Sequence, residues 1–235
     1  MNRKLNFFLP CIIAVAVSIG ISQPGAAQVP PSKVTTEGYT DALKAAAAGD
    51  VAAITALASK GADLNLRYPR RLTPLIVAAH LRHCDAVRAL LSAGADINAF
   101  DDDRYDVITI AAVADDAEMI RIAEAGGGDP KLVTSRYDGT ALIAAAHLGH
   151  DEVVRTLIKT GAPLDHVNNL NWTALIEAIV LGDGGPRHVA TLEALVTAGA
   201  DVNIADGSGV SPLSLAQRRG YTEMIDILIS AGARP

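Results

Sequence analysis

Histidine and cysteine side chains come closest, in this chain, to a metal-binding pattern. His80, His83 and Cys84 lie within one short stretch, and imidazole and thiolate are common ligands of zinc and copper. A structural zinc site has four protein ligands, whereas this stretch supplies at most three. A metal-binding protein is therefore the weakest of the functional hypotheses below, and we expect no bound metal and no cofactor.

A second histidine pair, His147 and His150, repeats the spacing of His80 and His83. The chain is built of repeats, as described below, and the two pairs occupy the same position in repeats two and four. At helix packing distances of 8–10 Å, a whole intervening repeat separates them by roughly 20 Å. One metal ion cannot join the two pairs.

The densest acidic cluster runs from Asp101 to Asp106 and contains four aspartates. It lacks the central glycine and the distant glutamate of a calcium-binding loop, so we interpret it as a solvated turn. The sequence contains no Gly-x-Ser-x-Gly elbow, no phosphate-binding glycine loop and no His-Glu-x-x-His motif. These observations predict a protein that is not an enzyme.

The stretch from Thr140 to Asp165 shows which elements must position these side chains. Thr140 can cap a short helix, and Gly149 can end it. Apolar residues at helical spacing over 153–158 predict a second helix, which Gly161 ends. Helices this short are unstable alone in water, so the unit must pack against copies of itself.

The same unit recurs six times along the chain. Its helix-capping residues are Thr40, Thr73, Asp106, Thr140, Thr173 and Ser211, and its closing glycines are Gly61, Gly94, Gly127, Gly161, Gly199 and Gly232. Successive glycines are 33, 33, 34, 38 and 33 residues apart, and a period near 33 residues is that of ankyrin repeats. The segments Leu72-Thr73-Pro74-Leu75 and Gly94-Ala95-Asp96-Ile97-Asn98 carry the resemblance, and the chain is identified as a member of the ankyrin-repeat family.

The resemblance implies an all-α solenoid of about six helix-turn-helix repeats joined by β-hairpin-like loops. It also implies that partners bind in a concave groove formed by the hairpin tips and the exposed side of each first helix. His150 stands where the family pattern itself commonly has histidine, so the resemblance implies a structural role for it. Carried over by repeat position, the predicted partner-binding residues are Arg67, Tyr68, Arg70, His80, Phe100, Asp102, Asp103, Tyr105, Arg136, Tyr137, His147, Asn169, Trp172, Arg218 and Arg219.

The N-terminal residues resemble an export signal. Arg3 and Lys4 precede an apolar run over 5–21, and small residues follow at 25–27, which predicts a signal peptide over 1–27. An uncleaved membrane anchor is the alternative. We assign 28–37 to a flexible lead and 38–235 to the repeat domain, with repeats at about 40–65, 73–98, 106–130, 140–165, 173–203 and 211–235. Bacterial periplasm is the expected location, and secretion is the alternative.

Charge narrows the class of partner. Removal of 1–27 leaves 18 basic and 26 acidic side chains, a net charge of −8, which disfavours nucleic acid and anionic membranes. We therefore expect a monomeric, non-catalytic module that binds another exported or membrane protein, and that inhibits, protects or scaffolds it. The alternative is a secreted effector that acts on host proteins. About five extra residues over 181–187 are either a partner contact or a tolerated surface insertion.

Overall fold

The computed structural model describes residues 41–235. The predicted signal peptide, the predicted lead and the capping residue Thr40 lie outside the described residues. Twelve α-helices follow one another in the described part of the chain, with these bounds: α1 (Asp41–Ala48), α2 (Val51–Ser59), α3 (Pro74–His80), α4 (Cys84–Ser92), α5 (Val107–Val113), α6 (Ala117–Ala125), α7 (Ala141–Leu148), α8 (Asp151–Lys159), α9 (Ala174–Val180), α10 (Pro186–Thr197), α11 (Pro212–Arg219) and α12 (Thr222–Ser230).

The helices form six antiparallel pairs stacked into a solenoid. The first helices α1, α3, α5, α7, α9 and α11 each contact the next one, and the second helices α2, α4, α6, α8, α10 and α12 do the same. Five connecting segments, here called tips, join each second helix to the next first helix. Over 41–235 the only extended pairing outside helices is an isolated bridge between Thr134 and Gly139. The prediction of an all-α repeat solenoid is confirmed.

Side-chain caps begin the first helices where the sequence predicts them. Thr73 accepts a hydrogen bond from the backbone N–H of Ile76 at 3.2 Å, and Asp106 accepts one from Thr109 at 2.7 Å. Thr140, Thr173 and Ser211 cap α7, α9 and α11 in the same way. Each cap satisfies a backbone donor that has no partner inside the helix, and so fixes where the helix begins.

The core lies between the two helix layers. Six consecutive residues of α7, from Ala141 to Ala146, are all buried, and Val153, Val154 and Leu157 of α8 are fully buried beside them. Alanine supplies five of the eight residues of α1 and four of the eight of α7, and a small side chain lets neighbouring helices approach closely. The residues that make the sequence regular are therefore those that hold the repeats together.

The extra residues of the fifth repeat fold partly into helix. Gly185 precedes Pro186 at the first position of α10, where a missing N–H costs nothing. As a result α10 has 12 residues, whereas α8 has 9. Even this helix, the longest over 41–235, falls short of the length needed to cross a membrane, and none of the described helices qualifies.

Candidate functional site

The tips and the first helices meet in a polar network around Glu177 of α9. Its Oε2 lies 3.2 Å from His147 Nδ1 of α7, and its Oε1 accepts a hydrogen bond of 2.9 Å from Asn168 in the preceding tip. Two neighbouring first helices, α7 and α9, and the tip before α9 therefore converge on one carboxyl group. These contacts place the last turn of the first helix α7 beside the tip before α9, which is the arrangement predicted for the groove.

Burial dominates the electrostatics of Glu177. Its side chain is 0% exposed, and removal from water raises its pKa, while the hydrogen bonds from His147 and Asn168 oppose this effect. A buried carboxylate with an incomplete shell of donors is costly, so the partners of Glu177 matter for stability. Neither Glu177 nor Asn168 matches a catalytic or metal-binding motif, so neither was among the predicted site residues.

His80 occupies the same repeat position as His147 and also faces an acid of the following repeat. His80 Nε2 lies 3.7 Å from Asp101 Oδ2, and the two side chains are only 7% and 6% exposed. The prediction that His80 contacts a partner from an open face is therefore wrong, because the tip of the next repeat covers it. His147, with a side chain 15% exposed, is only slightly more accessible.

Asp101 closes a tip instead of binding solvent. Its Oδ1 accepts hydrogen bonds from the backbone N–H groups of Asp103 at 2.9 Å and Tyr105 at 2.8 Å. Asn168 and Asp206 close the tips before α9 and α11 in the same way. The interpretation of the whole acidic cluster as a solvated turn is thus wrong for Asp101. A polar residue five positions before the cap was the available signal.

The prediction that Tyr105 contacts a partner is also wrong. Its residue is 1% exposed and belongs to the hydrophobic core, so it cannot contact a partner. Trp172 stands at the equivalent position, one residue before the cap, and remains partly exposed. Tyr105 is therefore buried whereas Trp172 is partly exposed, a difference that their sequence positions alone do not reveal.

Ion pairs tie the tips before α3, α5 and α7 to each other. Asp103 lies between two arginines, with Arg70 at 3.4 Å on one side and Arg136 at 2.8 Å on the other. Arg67 donates to the carbonyl oxygen of Phe100 at 3.0 Å, and Asn169 donates to that of Arg136 at 3.1 Å. The contacts hold these predicted residues in one continuous row.

The other predicted residues divide by exposure. Asp102 and Arg218 are exposed, whereas Tyr68, Phe100 and Tyr137 are half-buried.

Arg219 is exposed, but both of its terminal guanidinium nitrogens make contacts within the protein. It donates to the carbonyl oxygen of Val180 and lies 3.5 Å from the hydroxyl of Tyr221. The hydrogen bond from Arg219 to Val180 joins α11 to α9.

Histidines at the start of the second helices join consecutive stacked helix pairs. His150 Nδ1 lies 2.9 Å from the carbonyl oxygen of Ala112, and His83 Nε2 lies 3.1 Å from that of Ala47. The predicted structural role of His150 is confirmed. In the fifth repeat, His188 takes this role, with its Nε2 atom 3.1 Å from the carbonyl oxygen of His147. The extra residues over 181–187 place His188 outside the repeat position that His83 and His150 occupy, so the repeat pattern did not predict it.

The metal-binding hypothesis finds no geometric support around Cys84. His80 is directed to Asp101 and His83 to Ala47, and over 41–235 no group of three or more His, Cys, Asp or Glu is placed to hold a metal ion. Cys84 is a free thiol that packs against the core, and burial is the main cause that raises its pKa. A thiol with a raised pKa is a poor nucleophile at neutral pH.

Comparison with known proteins agrees with this architecture. The family model described as ankyrin repeats (3 copies) matches residues 23–101 and 108–206, and the chain belongs to the ankyrin-repeat family. Proteins of this family generally act in protein–protein interaction. The chain is 39% identical to the ankyrin repeat protein YahD of Escherichia coli strain K12 over 100 residues, which is 42% of this chain and 50% of that protein. It spans only half the length of this curated relative.

Two solved structures resemble the described fold over most of their length. An ankyrin repeat domain from Acinetobacter baumannii AYE has a TM-score of 0.79 at 40% identity and is covered to 98%, against 82% of this chain. The ankyrin repeat protein EF0377 has a TM-score of 0.76 at 30% identity, with 81% of this chain and 98% of that one covered.

Proposed function

We propose that this protein is a non-catalytic binding module of the bacterial periplasm that holds another exported or membrane protein. The observation that carries the proposal is the row of tip side chains, in which Arg70, Asp103 and Arg136 are locked together beside the half-buried Tyr137 and Trp172. Arg, Tyr and Trp are the residues that most often anchor interfaces. Side chains already fixed by intramolecular contacts lose less conformational entropy on binding.

The location rests on the sequence of the N-terminal residues. A basic start, an apolar run and small residues over 25–27 are typical of a cleaved export signal. The acidic balance of the rest of the chain favours a protein partner over nucleic acid. Binding would let the module inhibit, protect or scaffold its partner.

The test is affinity capture from the native bacterial envelope with the full-length chain carrying a C-terminal tag. We expect one protein to co-purify with the wild type and to be lost with the double variant Trp172→Ala, Tyr137→Ala. Lys159→Ala is the control, because Lys159 is exposed on the second helix α8 away from the tips. Equal recovery with all three proteins would contradict the proposed surface.

The location is tested separately by fractionation of the same cells. The wild-type protein should appear in the periplasmic fraction and be shorter than the full chain by about the predicted signal. Recovery in the cytoplasm at full length would contradict the periplasmic assignment, and recovery in the culture medium would favour a secreted effector.

A further inference from the structure

Arginines on the outer faces of the second helices join consecutive repeats. Arg88 of α4 lies 3.2 Å from Glu118 of α6, and Arg121 of α6 lies 3.1 Å from Glu152 of α8. Each arginine stands six residues before the closing glycine of its repeat, and each glutamate stands nine residues before the next closing glycine. One pair of sequence positions therefore forms the same ion pair between successive helices, and we call this series the arginine ladder.

The arginine ladder ends at α10. Its last member, Arg155 of α8, donates to the carbonyl oxygen of Ala190 in α10 at 3.4 Å. In α10 the arginine position is occupied by Glu193, and in α12 the glutamate position is occupied by Glu223. Two acids thus stand at a pair of positions that attract one another in the preceding repeats, and like charges there oppose the packing of α12 on α10. A repeat pattern that is broken at a cost to stability marks a candidate functional site.

The acids on this face have no partner inside the described part of the chain. Glu193, Glu223 and Asp226 are exposed, and over 41–235 none of these three side chains forms a hydrogen bond or an ion pair. The exposed bases of α8, Arg155 and Lys159, stand on the other side of α10 from α12, because α10 packs between these two helices. The three carboxylates are therefore available to a group outside the chain.

The bases of the last two repeats do not neutralise these acids. Over 173–235 the chain has four arginines and no lysine. Arg187 of α10 is held by aspartates of the third and fourth repeats, and Arg219 donates to Val180 of α9. Arg218 lies on α11 in the other helix layer, and Arg234 follows α12. The outer face of α10 and α12 is therefore acidic.

A shallow groove between α10 and α12 lies beside these acids. Glu193 of α10 and Asp226 of α12 line it. Val196, Ile227 and Ala231 supply apolar side chains to the same groove, together with two hydroxyl side chains. On α10 the acid and the apolar residue are three positions apart, which places them on one face of the helix. The groove therefore offers a charged part and an apolar part to a single ligand.

We infer that this outer face binds an extended segment of another protein that carries two basic side chains and one apolar side chain at alternate positions. Basic side chains complement the unpaired carboxylates, and an apolar side chain complements Val196 and Ile227. From Glu223 to Ala231 the helix rises about 12 Å, which equals about four residues of an extended chain. Alternate side chains of an extended chain point to the same side, so the spacing of the segment matches that of the groove. This surface lies on the second helices and is separate from the proposed surface at the tips.

The probe is a fluorescently labelled nine-residue peptide that contains Arg-Ser-Arg-Ser-Leu. One control peptide has glutamine in place of both arginines, and another has serine in place of the leucine. Binding to the full chain is measured by anisotropy at low and at physiological ionic strength. We expect the probe to bind, to bind more weakly as salt is added, and to bind more tightly than either control. Failure of the probe to bind, or equal binding of the glutamine peptide, would overturn the inference.

A substitution that completes the arginine ladder separates binding from folding. Glu193→Arg places an arginine at the ladder position that pairs with Glu223. It should bind the probe at least about tenfold more weakly, because like charges then face each other, and should unfold at the same or a higher urea concentration. Glu193→Gln removes the charge without reversing it and should weaken binding less.

Glu124→Arg is the matched control for these variants. It makes the same change of charge on α6, at an exposed acid that forms no ion pair within the described residues. It should leave binding of the probe unchanged. Equal losses with Glu193→Arg and Glu124→Arg would show that the peptide responds only to net charge, and the inference would be wrong.

The inference and the proposed function can fail separately. The double variant Trp172→Ala, Tyr137→Ala should bind the probe as the wild type does, whatever its effect on capture from the envelope. If this tip variant loses the probe, the peptide binds at the tips and the inference is wrong. Sedimentation tests a second copy of the chain as the occupant: a wild-type dimer that Glu193→Arg dissociates would also overturn the inference.

Discussion

Arg187 and Asp115 form an ion pair across an entire intervening repeat. The guanidinium NH2 of Arg187, in the first turn of α10, lies 2.7 Å from Oδ2 of Asp115 in the turn between α5 and α6. The same arginine lies 3.7 Å from Asp151 Oδ1 at the start of α8. Repeats of a solenoid ordinarily contact only their neighbours. Arg187, one of the inserted residues of the fifth repeat, thus joins the third, fourth and fifth repeats. The sequence suggested either a partner contact or a tolerated surface insertion, and neither of these alternatives includes such a structural role.

We predict that Arg187 couples the third and fifth repeats, but only weakly. Both side chains are substantially exposed, at 55% and 38%, so Arg187→Ala should lower the free energy of unfolding by at most about 1 kcal/mol. Asp115 has a φ of 56°, so Asp115→Gly loses the pair but relieves strain and should be nearly neutral. Urea unfolding of both variants and of the double variant gives the coupling energy. A coupling energy of zero would contradict the prediction.

Leu157 should be among the most sensitive positions of the chain. It is 0% exposed in α8 within the core, and a buried Leu→Ala change costs about 2–5 kcal/mol because a cavity remains. Leu66→Ala is the matched control, since Leu66 is 49% exposed in a tip, and it should change stability by less than about 0.5 kcal/mol. Chemical denaturation checks both values. Similar losses in the two variants would show that α8 is not packed as described.

The fold was largely predictable from the sequence, because it depends on local signals that recur. Thr73, Thr140 and Gly161 end or begin helices through their own backbone and side-chain chemistry, and repetition of the pattern in register removes the ambiguity of any single copy. The binding surface was less predictable. Tyr105 is buried and Trp172 is partly exposed, and nothing in their equivalent sequence positions distinguishes them.

Networks between repeats escaped the sequence analysis for the same reason. Glu177 lies at a position that holds Val77 in the second repeat and Ala144 in the fourth, so the repeat pattern predicts a small or apolar residue there and no polar network. Its partners come from α7 and from a tip. His188 was missed because the insertion shifted it from the position that His83 and His150 occupy.

Tyr105 should behave as a core residue and Trp172 as a surface residue. Tyr105→Ala removes a side chain from a site that is 1% exposed and should cost about 3–5 kcal/mol of stability, by analogy with other large aromatic-to-alanine changes. Trp172→Ala should cost clearly less, because its side chain is partly exposed, and should impair partner capture. Thermal unfolding of both variants tests this order, and a larger loss with Trp172→Ala would reverse the assignment.

Asp106 should contribute more to stability in mild acid than at neutral pH. Burial raises the pKa of this capping carboxyl, more than its hydrogen bonds to Thr109 lower it. The unfolded carboxyl titrates near 3.8, so folding is opposed by ionisation as the pH rises from there through the raised folded pKa. Asp106→Asn keeps the cap without the charge, and should be more stable than wild type at pH 7.

The pH profile makes this prediction specific. The advantage of Asp106→Asn should shrink as the pH falls and vanish below the pKa of the unfolded carboxyl. Asp106→Ala is the control: it loses the cap and should cost about 1 kcal/mol more than Asp106→Asn at every pH. Urea unfolding at several pH values measures both differences. An advantage of Asp106→Asn that is independent of pH would show that charge is not its cause.

His147 should stabilise the fold mainly because Glu177 is buried beneath it. His147→Ala removes one of the two side-chain donors to a carboxyl group that is 0% exposed, and an unsatisfied buried polar group costs about 1–3 kcal/mol. In a Glu177→Gln background the same change should cost less, since no buried charge then remains to be compensated. A double-mutant cycle followed by urea unfolding at pH 7 measures the difference. Additive effects would mean that the 3.2 Å contact between the two side chains contributes nothing to stability.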